Sequence, residues 1–376
     1  MTPKLARFLD SGAYATPAIV VDLDRVEANF AALRTALPDA AIFYAVKANP
    51  AAPVLGRLIG LGSRFDAASI EEIRACLTAG AEPGAISFGN TVKKCSAIAE
   101  AYARGINLFA FDSSEELEKL AEAAPGAKVY CRLSVSQHGA DWPLSRKFGT
   151  TAAHARDLLI EARDLGLIPH GVSFHVGSQQ TGVGAYRTAI AQAAMVFTDL
   201  RARGIDLRLL NLGGGFPTRY REDIPPIEAF GDAIMASVRE AFGNDLPDLL
   251  IEPGRAVVGD AGIAVSEVVL ACTRIEDAGR RWVYLDIGRF GGLAETEGEA
   301  IRYRISAPGI AGAETPAVIA GPSCDGVDVL YRDTEYRLPS ALKAGDRVLI
   351  HDTGAYVTSY ASQGFNGFLP PEEHYL

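Results

Sequence analysis

Cysteine is scarce and scattered in this chain. The five copies (Cys76, Cys95, Cys131, Cys272 and Cys324) are odd in number and far apart. No CxxC pair and no Cys/His cluster at metal-ligand spacing occurs, which argues against a disulfide framework and against structural zinc; no metal is expected. Long apolar runs are also missing. Neither the opening Met-Thr-Pro-Lys-Leu-Ala-Arg-Phe-Leu nor any later stretch has the length of a signal sequence or a transmembrane helix, so a cytoplasmic protein without a membrane partner is expected. Basic residues are in deficit, with 36 Lys and Arg against 46 Asp and Glu and a net charge of −10. That balance argues against nucleic acid as a partner and does not repel a small cationic ligand.

What is present is a large supply of core. Of 376 residues, 48% are hydrophobic and 22% charged, enough for one large barrel and a second domain. Short apolar runs read as strands at 18–22, 41–47, 65–67, 86–88, 108–111, 128–135, 171–176, 209–212 and 248–252. Many are separated by helical patterns at 25–36 (Val26, Phe30 and Leu33 on one face), 53–61, 97–103, 114–123, 152–165 and 186–203. About eight strand–helix units over some 240 residues predict an α/β fold, a (β/α)8 TIM-like barrel. After residue 262 the texture changes to strand-like runs at 263–271, 281–286, 300–306, 317–320 and 347–351, joined by Gly, Pro and Asp turns. The expected division is a barrel over 18–261 and a β-rich domain over 1–17 and 262–376, to which the N-terminal arm adds a strand.

Three motifs carry chemistry. Lys47, in FYAVKANP, closes a predicted barrel strand at the end where barrels place catalytic groups. Partial desolvation there lowers an amine's pKa and makes it a nucleophile, although a strand-end lysine can equally snorkel to solvent. Residues 211–217 (NLGGGFP) follow the seventh predicted barrel strand, where barrels often bind phosphate, and Gly213, Gly214 and Gly215 bare their backbone N–H groups. Glycine triplets also serve turns that need positive φ. Residues 251–255 (IEPGR) end the eighth strand with Glu252 at the mouth and Arg255 beside it, either an ion pair or a carboxylate and a phosphate clamp. Together the three supply an amine, a phosphate cup and an anion for a pyridine nitrogen, the needs of pyridoxal 5′-phosphate (PLP).

At this point the chain resembles a known family. YAVKAN, FDAAS (65–69), SFHVGSQ (173–179), LGGGFP, EPGR, GPSCDGVD (321–328) and GAY…FNGF (354–368) occur in order from about residue 16 to 368. They look like the alanine-racemase-fold (fold type III) PLP decarboxylases of ornithine, lysine and diaminopimelate. The resemblance implies that Lys47 binds the cofactor as a Schiff base and that Glu252 pairs with the pyridinium. Asp66 and Glu72 are implied as acids near the cofactor, Arg132 as a supporting cation and His175 as the group stacked on the ring. Ser178, Gly213, Gly214, Gly215, Arg255 and Tyr356 are implied to hold the phosphate. It further implies a homodimer in which the partner's 321–328 loop completes each active site, Cys324 returning a proton to Cα and Asp325 accepting the distal ammonium. Outside this context Cys324 reads as a small apolar residue and Asp325 as a turn residue before Gly326.

The loop bears on the substrate. Diaminopimelate enzymes resemble CES here, whereas this chain has CDG, like the ornithine and lysine enzymes. Asp325 and the acidic run Glu295, Glu297, Glu299 suit a cationic side chain better than a distal carboxylate. Glu295 and Glu299 are the candidates for a second acid at the distal amine, and Tyr356 is also placed near the substrate. The leading expectation is decarboxylation of L-ornithine to putrescine and CO2 in polyamine biosynthesis; lysine or diaminopimelate are the alternatives. The stretch 136–147 looks like bacterial members and keeps open a conjugated ornithine of a siderophore-type pathway. Two other readings exist on this fold. A racemase usually has an arginine at the pyridine nitrogen, where Glu252 stands here. A non-enzymatic regulator should have lost Lys47, the glycine triplet or Cys324, and all are present.

Overall fold

The structure, a computed structural model, describes residues 2–136, 138–142 and 147–376. The chain opens with α1 (Pro3–Ser11), β1 (Ala18–Val21) and α2 (Leu23–Ala36). Then come β2 (Ala40–Ala45), α3 (Ala52–Gly60), β3 (Arg64–Ala67), α4 (Ile70–Thr78), β4 (Ile86–Phe88), α5 (Cys95–Ala103), β5 (Leu108–Phe111), α6 (Ser114–Ala123) and β6 (Lys128–Arg132). β7 (Ala140–Trp142) and α7 (Ala152–Asp164) precede β8 (Ile168–Ser173), β9 (Ser178–Gln180), α8 (Ala185–Arg201), β10 (Leu209–Asn211), α9 (Ile227–Phe242) and β11 (Asp248–Ile251). Two compact units result: residues 27–217 with 224–256, and residues 1–26, 218–223 and 257–376.

The first unit is a closed barrel of eight parallel strands, in the order β2-β3-β4-β5-β6-β8-β10-β11. Its strands are apolar runs rather than alternating ones because side chains are covered on both faces. Phe43, Ala110, Tyr130, Leu209 and Leu250 fill the barrel as one buried cluster. Helices start from capped turns: Ser69, Ser113 and Thr151 accept from the N–H groups of Glu72, Glu116 and His154 at the heads of α4, α6 and α7. Two of the strand limits that differ from the sequence reading bear on the site. β2 stops at Ala45 and hands over to a 3-10 turn, Val46–Ala48, so Lys47 sits on a turn. β8 covers Ile168–Ser173 instead of 171–176, leaving His175 on a loop that turns at Gly177 with φ +96°.

After α10 (Arg255–Val258), which straddles the boundary between the units, the second unit continues through β12 (Gly262–Arg274), β13 (Arg280–Leu285), β14 (Ile305–Ser306), β15 (Glu314–Ala320), β16 (Val329–Pro339), β17 (Arg347–His351) and β18 (Glu372–Tyr375). The long β12 is its spine, pairing antiparallel with β1, β13 and β17 in an eight-stranded sheet. β1, grouped above with residues 18–261, thus pairs outside the barrel, with Ala18 opposite Val265 and Glu372. The arm before it is a helix rather than a strand. Thr2 caps α1 by accepting from the Leu5 N–H, and Pro3 occupies its first turn, where a missing N–H costs nothing. Leu5 then packs on Val20, Ile263, Val265 and Leu349. Of the run 300–306 only Ile305–Ser306 is strand. Residues 218–223 join this unit through Tyr220, edge-on to Tyr303 at 5.4 Å, and Arg221, 4.5 Å above the Tyr336 ring. Among the described residues no helix is long and apolar enough to cross a membrane.

Barrel closure depends on one bare backbone position. Gly171 lies opposite both Leu209 and Tyr130, and a Cβ there would stand 2.0 Å from the Leu209 carbonyl oxygen. Gly171→Ala should therefore cost about 1–3 kcal/mol through overpacking. Denaturant unfolding checks this; an unchanged midpoint would contradict so close an approach.

Candidate active site

The C-terminal ends of the barrel strands bring together ionisable groups from distant parts of the chain. Lys47 sits just beyond β2, between buried Val46 and Ala48, and is itself exposed rather than desolvated by its strand. The end of β2 is tied to β11 by the Ala45 N–H, which donates to the Pro253 carbonyl at 3.0 Å, so the Lys47 turn and Glu252 share one anchor. Asp66, on β3, is 4% exposed and accepts from Ser87 Oγ at 3.1 Å on the neighbouring strand. Burial pushes the Asp66 carboxyl above its ordinary range, while Lys47, Ser87 and Arg132 pull it back. Glu72 is raised by burial too, against the Ala68 N–H at 2.6 Å and the charge of Lys47.

Glu252 carries the clearest signature. Burial and then the nearby Asp66 push its carboxyl up to about 7, against the Asn211 amide, Lys47 and Arg132. The Asn211 side chain works in two directions: Nδ2 donates to Glu252 Oε1, and Oδ1 accepts from the Gly213 N–H at 2.9 Å. The Glu252 N–H donates to the Gly213 carbonyl at 2.8 Å, so this carboxylate and the glycine turn are one unit. The sequence motif alone assigns Asn211 no role; the signal for one is an amide side chain placed between a strand end and the glycine triplet. His175, half-buried, accepts the Gly177 N–H on Nδ1 at 3.0 Å, which leaves its proton on Nε2. Burial, Arg132 and Lys47 hold it well below the usual imidazole range, so it is neutral.

Opposite the acids lies a surface of bare backbone. A Cβ on Gly213 would stand 2.1 Å from the Phe174 carbonyl oxygen, on Gly214 2.5 Å from that of Glu252 and 3.3 Å from His175 Nε2, and on Gly215 2.5 Å from that of Gly177. Gly213 and Gly215 also have positive φ, at +66° and +98°. Tyr186 Oη donates to the Gly214 carbonyl at 2.8 Å and pins this turn from below. Arg255, 2% exposed, directs Nη2 onto Ser178 Oγ at 3.1 Å. β9, which carries Ser178, pairs with β7, Trp142 opposite Ser178. The stretch 136–147 thus borders this cradle through β7; Gln137 and residues 143–146 of it lie outside the described residues. Arg132 and Lys147 both lie over the Phe148 ring, at 5.3 and 5.0 Å.

The remaining candidates belong to the second unit. Cys324 and Asp325 are exposed on the loop between β15 and β16. The Cys324 N–H donates to Asn366 Oδ1 at 2.9 Å, and Asp325 Oδ1 accepts from the Val327 N–H at 3.0 Å. Tyr356 is half-buried, with φ +56° in the left-handed region. Glu295 is 3% exposed. Glu299 is engaged differently from its neighbour: its carboxylate accepts the N–H groups of Arg332, Asp333 and Thr334 at 2.6, 2.8 and 2.7 Å. Partial burial raises its pKa, but those hydrogen bonds prevail and hold it below the usual range. That carboxylate terminates a turn of β16 rather than presenting itself to a ligand.

The donor set of the barrel unit fits PLP. A glycine cradle, a hydroxyl and a buried guanidinium would receive a phosphate, and the carboxylate held by Asn211 would suit a protonatable nitrogen. Comparison with known proteins agrees. The family model for the pyridoxal-dependent decarboxylase, pyridoxal binding domain, matches residues 23–259. A lysine/ornithine decarboxylase of Selenomonas ruminantium is 38% identical over 94% of this chain and 88% of its own length. SrLDC in complex with PLP and cadaverine superposes with TM-score 0.89 at 34% identity, covering 99% of this chain and 93% of that one. The lysine/ornithine decarboxylase of Vibrio vulnificus complexed with putrescine gives TM-score 0.88 at 30% identity, covering 100% and 99%. With its closed eight-stranded barrel, its β-rich second unit and these matches, the chain belongs to the pyridoxal-dependent decarboxylases, PLP enzymes of basic amino acids.

Proposed function

We propose that this chain decarboxylates L-ornithine to putrescine and CO2 in the cytoplasm, as a homodimer supplying diamine for polyamine synthesis. The observation that carries the reading is the pairing, at one barrel mouth, of the Lys47 amine and its carboxylates with the glycine, Ser178 and Arg255 cradle. PLP, when bound, supplies the electron sink that takes up the pair left on Cα as CO2 departs. Lys47 is the covalent anchor, and its charge is balanced by Asp66, Glu72 and Glu252, the acids it pulls down. Glu252, ionised, keeps the proton on the pyridine nitrogen, and Asn211 holds it in place for that task. Neutral His175 offers an uncharged ring face above the Gly214 turn, so no second cation competes for electron density.

The second copy contributes Cys324 and Asp325 in this reading. An exposed thiol beside an exposed carboxylate suits a proton returned to Cα and an ammonium held at the far end of the side chain. Glu295 is the second acid for that ammonium, and Glu299, spent on backbone N–H groups, is not. Ornithine over lysine rests on one methylene, about 1–3 kcal/mol in a pocket. CO2 release across ornithine, lysine, arginine and diaminopimelate should be greatest for ornithine; greater release from another of these would replace it.

Two variants test the barrel assignments. Lys47→Ala should abolish the visible absorbance of covalently held cofactor and all multiple turnover, and retained steady-state CO2 release would contradict the role of Lys47. With its carboxyl pushed up to about 7, Glu252 loses its charge as pH falls, and only the carboxylate pairs with a protonated pyridine nitrogen. The apoprotein's affinity for PLP should thus weaken as pH falls below 7, by up to about tenfold per unit. Glu252→Gln should remain at the weaker level and lose that part of the dependence. Titrating PLP into apoprotein from pH 5.5 to 8.5 checks this, and superimposable profiles would exclude Glu252.

A further inference from the structure

The Cys324 loop carries a buried acid, Asp328, that the proposed reaction does not use. Asp328 is 3% exposed and sits three residues after Asp325. Its two carboxylate oxygens serve two different segments: Oδ1 accepts the Arg289 N–H at 2.8 Å, and Oδ2 accepts the Ser323 N–H at 3.1 Å. Its backbone closes the loop as well. The Asp328 carbonyl accepts from the Gly321 N–H at 2.8 Å, and its N–H donates to the Asp325 carbonyl at 3.1 Å. Cys324 and Asp325 therefore stand at the tip of a turn whose two legs meet on a single side chain. Arg289 carries the connection onward, since its Nη2 donates to the carbonyl of Thr296, the fully buried neighbour of Glu295, at 3.1 Å. Two glycines make room for the carboxylate: a Cβ on Gly288 would stand 2.2 Å from Oδ1, and one on Gly321 2.4 Å from both oxygens.

We propose that Asp328 is the positioning residue of the substrate end: it sets Cys324 and Asp325 in fixed register with each other and with the segment that carries Glu295. The proposal rests on the reading of Asp325 as acceptor of the distal ammonium. Two backbone N–H groups converge on one acceptor-only carboxylate. An amide in its place keeps one acceptor and presents an NH2 to the other N–H, so one leg of the turn must let go. A displacement of about 1 Å at such a turn is enough to cost a large factor in binding or rate.

The test is steady-state kinetics on PLP-loaded enzyme with ornithine and lysine as probes, for D325N, D328N and the double variant. D328N should keep the absorbance of bound cofactor, because the cradle and Lys47 belong to the barrel unit, yet raise KM at least tenfold. In the double variant KM should stay within about twofold of D325N, because Asp328 acts through Asp325. Independent, multiplying losses, or a D328N enzyme with the parent KM, would overturn the positioning role. A D325N enzyme with the parent KM would overturn the ammonium-acceptor reading instead. If D328N loses cofactor or fails to fold, Gly321→Ala, which crowds the same carboxylate without removing its charge, carries the same comparison. A normal KM in G321A, or its loss of cofactor too, would also overturn the proposal.

Discussion

Three carboxyl groups crowded against one amine are the constraint on which the barrel mouth depends. Asp66, Glu72 and Glu252 are all raised by burial, and all are drawn down by Lys47. The positive charge of Lys47 favours the ionised form of each acid against the cost of its burial. Arg132 joins Lys47 in lowering Asp66 and Glu252 and in keeping His175 neutral. The barrel supplies the geometry for this balance: eight parallel strands end on one rim, so groups separated by some 200 residues in sequence act on each other.

Asn211 shows how the electrostatics and the cradle are made one object. Its amide has a donor for Glu252 and an acceptor for the Gly213 N–H, so the acid proposed for the ring nitrogen and the turn proposed for the phosphate are tied together. Gly213 and Gly215 are glycine because φ is positive there, and all three triplet positions are glycine because the neighbouring carbonyls leave no space. The glycine turn and the Glu252 carboxylate are thus held at one spacing by backbone hydrogen bonds and the Asn211 amide.

Much of this was legible in the sequence. The barrel strands are apolar runs because both faces are covered, and eight of them recur with helical patterns between many. Lys47, Glu252 and the glycines stand at strand ends, where a barrel collects function. What the sequence hid has physical reasons. β1 looks like any buried strand, and nothing local says that its partners are β12 and β18, 240 and more residues away. The arm before it is short enough to read either way until Thr2 and Pro3 are recognised as a cap and a first turn. Glu295 and Glu299 are alike in sequence, and only tertiary folding turns Glu299 towards three backbone N–H groups. Asn211 and Asp328 act by touching two partners at once, a property that no residue shows alone.

The central claim is that Lys47, and no other lysine, is the residue on which this decarboxylase holds its cofactor. Borohydride reduction of the purified, PLP-loaded protein, followed by proteolysis and mass spectrometry, addresses it directly. The account predicts a single pyridoxyl-phosphate mass addition, on the peptide containing Lys47. Its appearance on another lysine, such as the buried Lys93, or on none, would contradict the account.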